Sequence, residues 1–414
     1  MSQLMLNEMK AYGVSSVLVF LKPDAVGEPV LQHFSHFENS QTSALAAAVG
    51  ARRGAVPAGR YYPNLGVLLG TVNRDGLAAL RSDQRVRRVA SAPPLRLIRP
   101  VSRKSAKLTD KLTWGIERLG IPELWKEGLT GKGIRVGHLD TGADGKHPAL
   151  RDAIVSFAEF DWLGRKTRDA TPRDTQDHGT HTAGTIAGRP VAGRAIGMAP
   201  KADLCSALVI EGGDVVARVL GGMDWVVGQG CKVLSMSLGF PGFWDDFLQL
   251  TRILRQRGVL PVFAVGNEGP GTSRSPGNYA EALSVGASAE DDTVADFSSS
   301  DRFRRRKDPV VPDVLAPGVG VVSALPGGGY QSMSGTSMAT PHVAGLAALL
   351  WEAKPAATPN QVEKAIFESC VRLEGVPVDR QGRGVPVAKR ALQRLMGRDL
   401  GGRRHTTPRR SRSR

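Results

Sequence analysis

Three runs of this chain, IRVGHLD (134–140), VLSMSLG (233–239) and VLPVFAVGN (259–267), are apolar almost without interruption and end on Gly, Asp or Asn. A strand with one wet face alternates apolar and polar residues. One that stays apolar throughout is covered on both faces, which points to a parallel sheet between helical layers. The stretches between these runs are rich in small residues and have helical composition. The 49 glycines and only 6% aromatic content suit tight strand–helix turns and close backbone packing. The expectation is therefore an α/β fold, a parallel β-sheet flanked by helices on both faces, with chemistry placed at the carboxyl ends of the strands.

This pattern begins near Leu112, and the chain divides near residue 106. Residues 1–106 read as a small α+β module that ends in a basic linker. Strands are predicted at Val17–Leu21, Leu65–Val72 and Val86–Ala90. Helices are predicted at Ser43–Val49 and, capped by Asn73, at Asp75–Arg81. The segment Arg99–Lys111, RPVSRKSAKLTDK, has no apolar periodicity and reads as an exposed linker open to nicking. Residues 107–396 form the larger unit, whose last helices are predicted over Gln361–Cys370 and Val387–Met396. Residues 397–414 form a basic tail poor in apolar residues, expected to be disordered.

A formal charge of +16 raises the question of an anionic partner. The excess sits in the linker, in the loop Arg302–Lys307 and in the tail, and no helix carries a basic stripe interleaved with aromatics. Nucleic acid is therefore not the expected partner. No apolar run is long enough to span a bilayer, so no membrane role is expected. Cys205, Cys231 and Cys370 are too few for a disulfide framework and lack metal-ligand spacing. The amino-terminal residues have no secretory pattern. A cytoplasmic location is the expectation, with an unusual export route left open.

Three segments carry the chemistry. In IRVGHLDTGADGKHP, Asp140 closes a buried strand; alone it could be a turn aspartate bonded to its own backbone. In DHGTHTAGTIAG, His178 and His181 stand three apart. With no glutamate between them and no third ligand, zinc is not expected, and His181, like His342, reads as structural. In MSGTSMATPHVAGLAALLWEAKP, Ser337 opens a helix apolar nearly all round, where free N–H groups favour negative charge. Pro341 is placed in the first turn, which needs no amide donors.

Taken together and in this order, DTGADGKHP, HGTHTAG and GTSMATPHVAG resemble the subtilase family of subtilisin-like serine proteases, over about Thr113–Cys370. Asp, then His, then Ser is also the subtilisin order of the triad. The resemblance implies Ser337 as nucleophile, His178 as base, Asp140 as its orienting carboxylate and Asn267 as oxyanion donor. It implies substrate-binding edges at Ser237, Leu238 and Gly239 and, opposite, at Gly212, Gly213 and Asp214. Ala264 and Gly266 would line the primary specificity pocket. Arg274 would either project toward substrate or be solvated. The amino-terminal module resembles the family's inhibitory propeptide, to be cut near Arg103–Lys111. Substrates would be peptides or unfolded proteins, cut by an endopeptidase, with the chain's own propeptide as a partner.

The chain departs from the family at a calcium site. Ala149 stands where an aspartate is usual, and Arg189–Ala195 (RPVAGRA) offers no carboxylate or amide. No cofactor is required on this reading, and high-affinity calcium is expected to be absent there. The alternative is an inactive scaffold that binds peptides or nucleic acid. Every residue expected for catalysis is nevertheless present.

Overall fold

A computed structural model of the protein describes residues 2–35, 59–92, 95–161, 164–211 and 214–397. The predicted helix at Ser43–Val49 and the basic tail beyond 397 lie outside them.

The amino-terminal module starts with α1 (Gln3–Tyr12), followed by β1 (Ser15–Leu21), β2 (Gly59–Tyr62), β3 (Val67–Val72), α2 (Arg74–Ser82) and β4 (Val86–Ser91). The strands form an antiparallel sheet in the order β2-β3-β1-β4. Asn73 caps α2, its Oδ1 accepting from Gly76 N–H at 2.8 Å. β1 is buried on both sides. Val17 and Val19 join the module's own core, whereas Leu18 and Phe20 join a core shared with the larger unit.

The segment read as an exposed linker, Arg99–Lys111, contains a strand, β6 (Ser102–Ala106), and a short strand, β5 (Arg96–Leu97), lies just before it. The β6 side chains are mostly exposed, as expected for a polar run. The strand is missed in the sequence because main-chain pairing leaves no side-chain period to read.

The larger unit contains β7 (Arg135–Asp140), β8 (Ile154–Glu159), α3 (His178–Ala187), β9 (Asp203–Leu208), α4 (Val215–Gly228), β10 (Val233–Met236) and β11 (Leu238–Pro241). Then follow α5 (Leu248–Gln256), β12 (Leu260–Ala264), β13 (Arg274–Ser275), β14 (Leu283–Ser288), β15 (Asp301–Arg302), β16 (Val310–Val311), β17 (Val314–Pro317), β18 (Val321–Leu325) and β19 (Gly329–Ser334). The chain continues through α6 (Thr336–Ala353), α7 (Pro359–Ser369) and α8 (Ala388–Leu395).

Seven of these strands pair in parallel in the order β17-β14-β12-β10-β7-β9-β8. Successive strand residues alternate between two cores: Leu260 and Val262 face α3 and α6, whereas Phe263 faces α4 and α5. This is the two-faced burial that the apolar runs require. At Gly137 in β7 a Cβ would stand 2.5 Å from Val226, so the glycine lets α4 lie close on the sheet. No helix among the described residues is long and apolar enough to cross a membrane.

α6 is buried along almost its whole length. Pro341 lies past its first turn, contrary to its expected place, and leaves the Ser337 carbonyl without an amide donor. The Ser237 hydroxyl lies 3.4 Å from that oxygen and donates to it instead.

Candidate active site

Asp140 closes β7 at the carboxyl edge of the sheet, and His178 opens α3. Their approach depends on two glycines: a Cβ on Gly179 would lie 1.9 Å from the Gly142 carbonyl oxygen. With nothing larger there, His178 Nδ1 donates to Asp140 Oδ1 at 2.7 Å. The same oxygen accepts from Thr141 N–H at 2.7 Å. The Thr182 hydroxyl lies 3.4 Å from Oδ2, and His138 Nε2 lies 3.8 Å from it. Burial opposes ionisation of Asp140, but the adjoining His178 and these hydrogen bonds hold its carboxyl below the usual range.

Ser337 stands in the first turn of α6. Its hydroxyl donates to the Ile98 carbonyl at 2.7 Å, and His178 Nε2 is buried without a partner. Asn267 follows β12 across the cleft. Its Oδ1 accepts from Thr336 N–H and Oγ1, both at 2.9 Å, which turns Nδ2 outward to donate to the Arg99 carbonyl at 2.9 Å. Asp140, His178 and Ser337 are each at most 1% exposed, and the segment 95–100 lies over Ser337.

That segment is held as an added strand. Leu97 pairs with Leu238 and Arg96 with Gly239, antiparallel, while Ile98 N–H donates to Ser237 O at 3.0 Å. Past the site, Val101 N–H donates to Ser334 O at 2.8 Å and β6 pairs with β19. Ser337 and Asn267 therefore meet two successive carbonyls, of Ile98 and of Arg99. An attack on one carbonyl needs both groups on the same peptide unit.

The Asp214 side chain accepts from Ala217 N–H at 3.1 Å as the cap of α4. Its neighbours Gly212 and Gly213 lie outside the described residues. Ala264 is buried at the end of β12. A Cβ on Gly266 would stand 2.7 Å from Glu268 Oε2 and 3.3 Å from Arg274 Cγ. Arg274 is mostly buried rather than solvated: it pairs with Glu268 Oε1 at 2.5 and 2.9 Å, its side chain is 16% exposed, and its Nη1 lies 3.5 Å from the Gly239 carbonyl oxygen.

Burial pushes His181 down to about 3 and His342 down to about 4, and each donates to a backbone carbonyl, of Val321 and Met338. Among the described residues no group of three or more His, Cys, Asp or Glu is gathered as metal ligands. In the loop after α3, Arg189 donates to the carbonyls of Ala187, Ala202 and Asp152. Ala149 is fully buried.

Sequence reasoning missed Thr182, Thr336, Glu268 and the seated segment. Thr182 and Thr336 lie inside the motifs and act only by orienting neighbours, a role that spacing does not reveal.

A carboxylate–imidazole pair opposite a serine at a helix start, beside an outward amide, is an arrangement that can run acyl transfer by a covalent route. The sequence matches the Subtilase family over residues 131–388. It is 37% identical to M-protease of Shouchella clausii over 268 residues, 64% of this chain and 66% of that protein. It is 37% identical to subtilisin Savinase of Lederbergia lenta over 262 residues, 63% of this chain and 91% of that protein. The major intracellular serine protease of Bacillus subtilis is 34% identical over 264 residues, 62% of this chain and 80% of that protein. The chain belongs to the subtilase family.

Proposed function

We propose that this subtilase, a serine endopeptidase, cuts peptide and unfolded-protein substrates through Ser337, and that its own amino-terminal module holds it inactive until removed. The observation that carries this reading is the 2.7 Å His178–Asp140 hydrogen bond, with Ser337 under a substrate-like strand.

Once the Ile98 carbonyl leaves, the Ser337 hydroxyl is released to the unpartnered His178 Nε2. His178 takes the proton as Ser337 attacks a substrate carbonyl and returns it to the leaving amine. Asp140, held ionised, keeps Nδ1 protonated and stabilises the imidazolium. The oxyanion is met by Asn267 Nδ2 and the Ser337 N–H. Water then releases the acyl group by the same steps in reverse order. Substrate enters as an extended strand along Ser237–Gly239, where β5 now lies.

The seated pose supports a new position for maturation. The bonds beside Ser337 follow Ile98 and Arg99, not Arg103–Lys111, which a second molecule would have to cut. The pose itself is unproductive, since Ser337 and Asn267 are engaged on different peptide units.

The high-affinity calcium of the family is absent on this reading. Arg189 puts a fixed cation against three carbonyl oxygens. A cytoplasmic site of action agrees with the relative named as intracellular in Bacillus subtilis.

A fluorophosphonate probe on the matured protein tests the central claim. Ser337 should be labelled and casein cleaved, and Ser337→Ala should abolish both. Failure of the folded wild-type protein to label would favour the inactive scaffold.

A further inference from the structure

Beyond Ser337 the seated segment does not leave the surface. It runs on as β6 along β19, with Ser102 opposite Ser334, Arg103 opposite Met333, Lys104 opposite Ser332 and Ala106 opposite Tyr330. β19 leads through Gly335 and Thr336 into Ser337, so this edge starts at the nucleophile. Its other edge is already taken by β18. Main-chain pairing of this kind accepts any extended peptide, whatever its side chains.

One side chain is read specifically. Arg103 donates to Asp177 Oδ1 at 2.8 Å, and Asp177 directly precedes His178. Its position is fixed, because its carbonyl accepts from His181 N–H as α3 begins. The β19 residues, GYQSMS, carry no charge of their own. The Asp177 side chain keeps 21% exposure even with Arg103 in place. When the segment departs, an open strand edge and a carboxylate beside it remain.

We propose that this edge of β19 binds the stretch of substrate beyond the cut bond, and that Asp177 selects a basic side chain there. The proposal rests on the endopeptidase reading. Arg103 is the fifth residue after Ile98 and the fourth after Arg99, so the selected residue lies four or five positions past the bond. An ion pair at the surface is weak and salt-sensitive, so the selection should be a few-fold in kcat/KM.

Internally quenched peptides, identical through the cut bond and carrying Arg, Ala or Glu at the fourth and fifth following positions, test this on the matured protein. Wild type should favour Arg over Ala by a few-fold, less so at high salt. Asp177→Asn should lose the preference, and Asp177→Arg should favour Glu. Peptides ending two residues past the bond should be cut less efficiently than long ones. Identical Arg, Ala and Glu ratios in all three proteins, or equal rates for short and long peptides, would overturn the subsite while leaving the protease intact. If no peptide is cut and Ser337 resists the fluorophosphonate, the endopeptidase reading itself fails.

Discussion

Asn267 shows how a single side chain is made ready for one task. An amide can present either end to a cleft, and Thr336 removes the choice by occupying Oδ1 twice. On the proposed mechanism the donor is thus aimed before substrate arrives, which is what makes such groups effective. Asn267→Ala should lower kcat by about 10² to 10³ with little change in KM, the scale measured for such a donor in subtilisin. Steady-state kinetics on a short chromogenic peptide would check it; an unchanged kcat would remove Asn267 from the mechanism. At this scale the motifs are legible because chemistry restricts residue type. Asp140 and His178, brought within 2.7 Å, were named by their motifs. Arg274 was not placed, because its partner Glu268 lies six residues away in a loop with no period to read.

Among the elements, the parallel strands were readable because burial on two faces leaves an unbroken apolar run. β6 was not, since a polar strand paired through its backbone looks like a linker. The loop after α3 carries its own logic. Arg189 bridges carbonyls from three parts of the chain, and burial lowers its pKa without removing its charge in any ordinary pH range. A guanidinium that is covalently part of the chain does not dissociate. Heating with and without a chelator should give the same Tm, whereas Arg189→Met should lower it by a few degrees, since the carbonyls lose hydrogen bonds worth about 1–3 kcal/mol together. A large chelator-dependent fall in Tm would point to calcium after all.

For the molecule as a whole, the module and the larger unit are joined by carboxylates as well as by the cleft. Asp224 on α4 accepts from Asn64 N–H at 2.7 Å, from Leu65 N–H at 3.2 Å and from the Asn64 amide at 3.1 Å. Asp246 accepts from Ser91 N–H at 3.0 Å, and the Tyr62 hydroxyl donates to Ala217 O at 3.1 Å. These joints rest on backbone groups at one end or the other and on tertiary geometry, with the Asn64 amide as an added side-chain donor, so the sequence of either partner alone gives no sign of them. Hydrogen bonds to an ionised acceptor are worth about 1.5–3 kcal/mol. Asp224→Ala should therefore weaken retention of the module after the cut by about tenfold or more. The interval between cleavage, followed by mass spectrometry, and the onset of peptide hydrolysis should shorten accordingly. Full hydrolysis by uncut chains would defeat this picture.

The double burial of β1 has one more result. Leu18 and Phe20 are oily on the side that meets α4 and α5, and cutting the backbone does nothing to make that seam attractive to water. Severed halves should cling, and freedom should come only when the smaller half is itself digested. Activation would then behave as a chain reaction, slow while the first few liberated molecules work and abrupt once they are many.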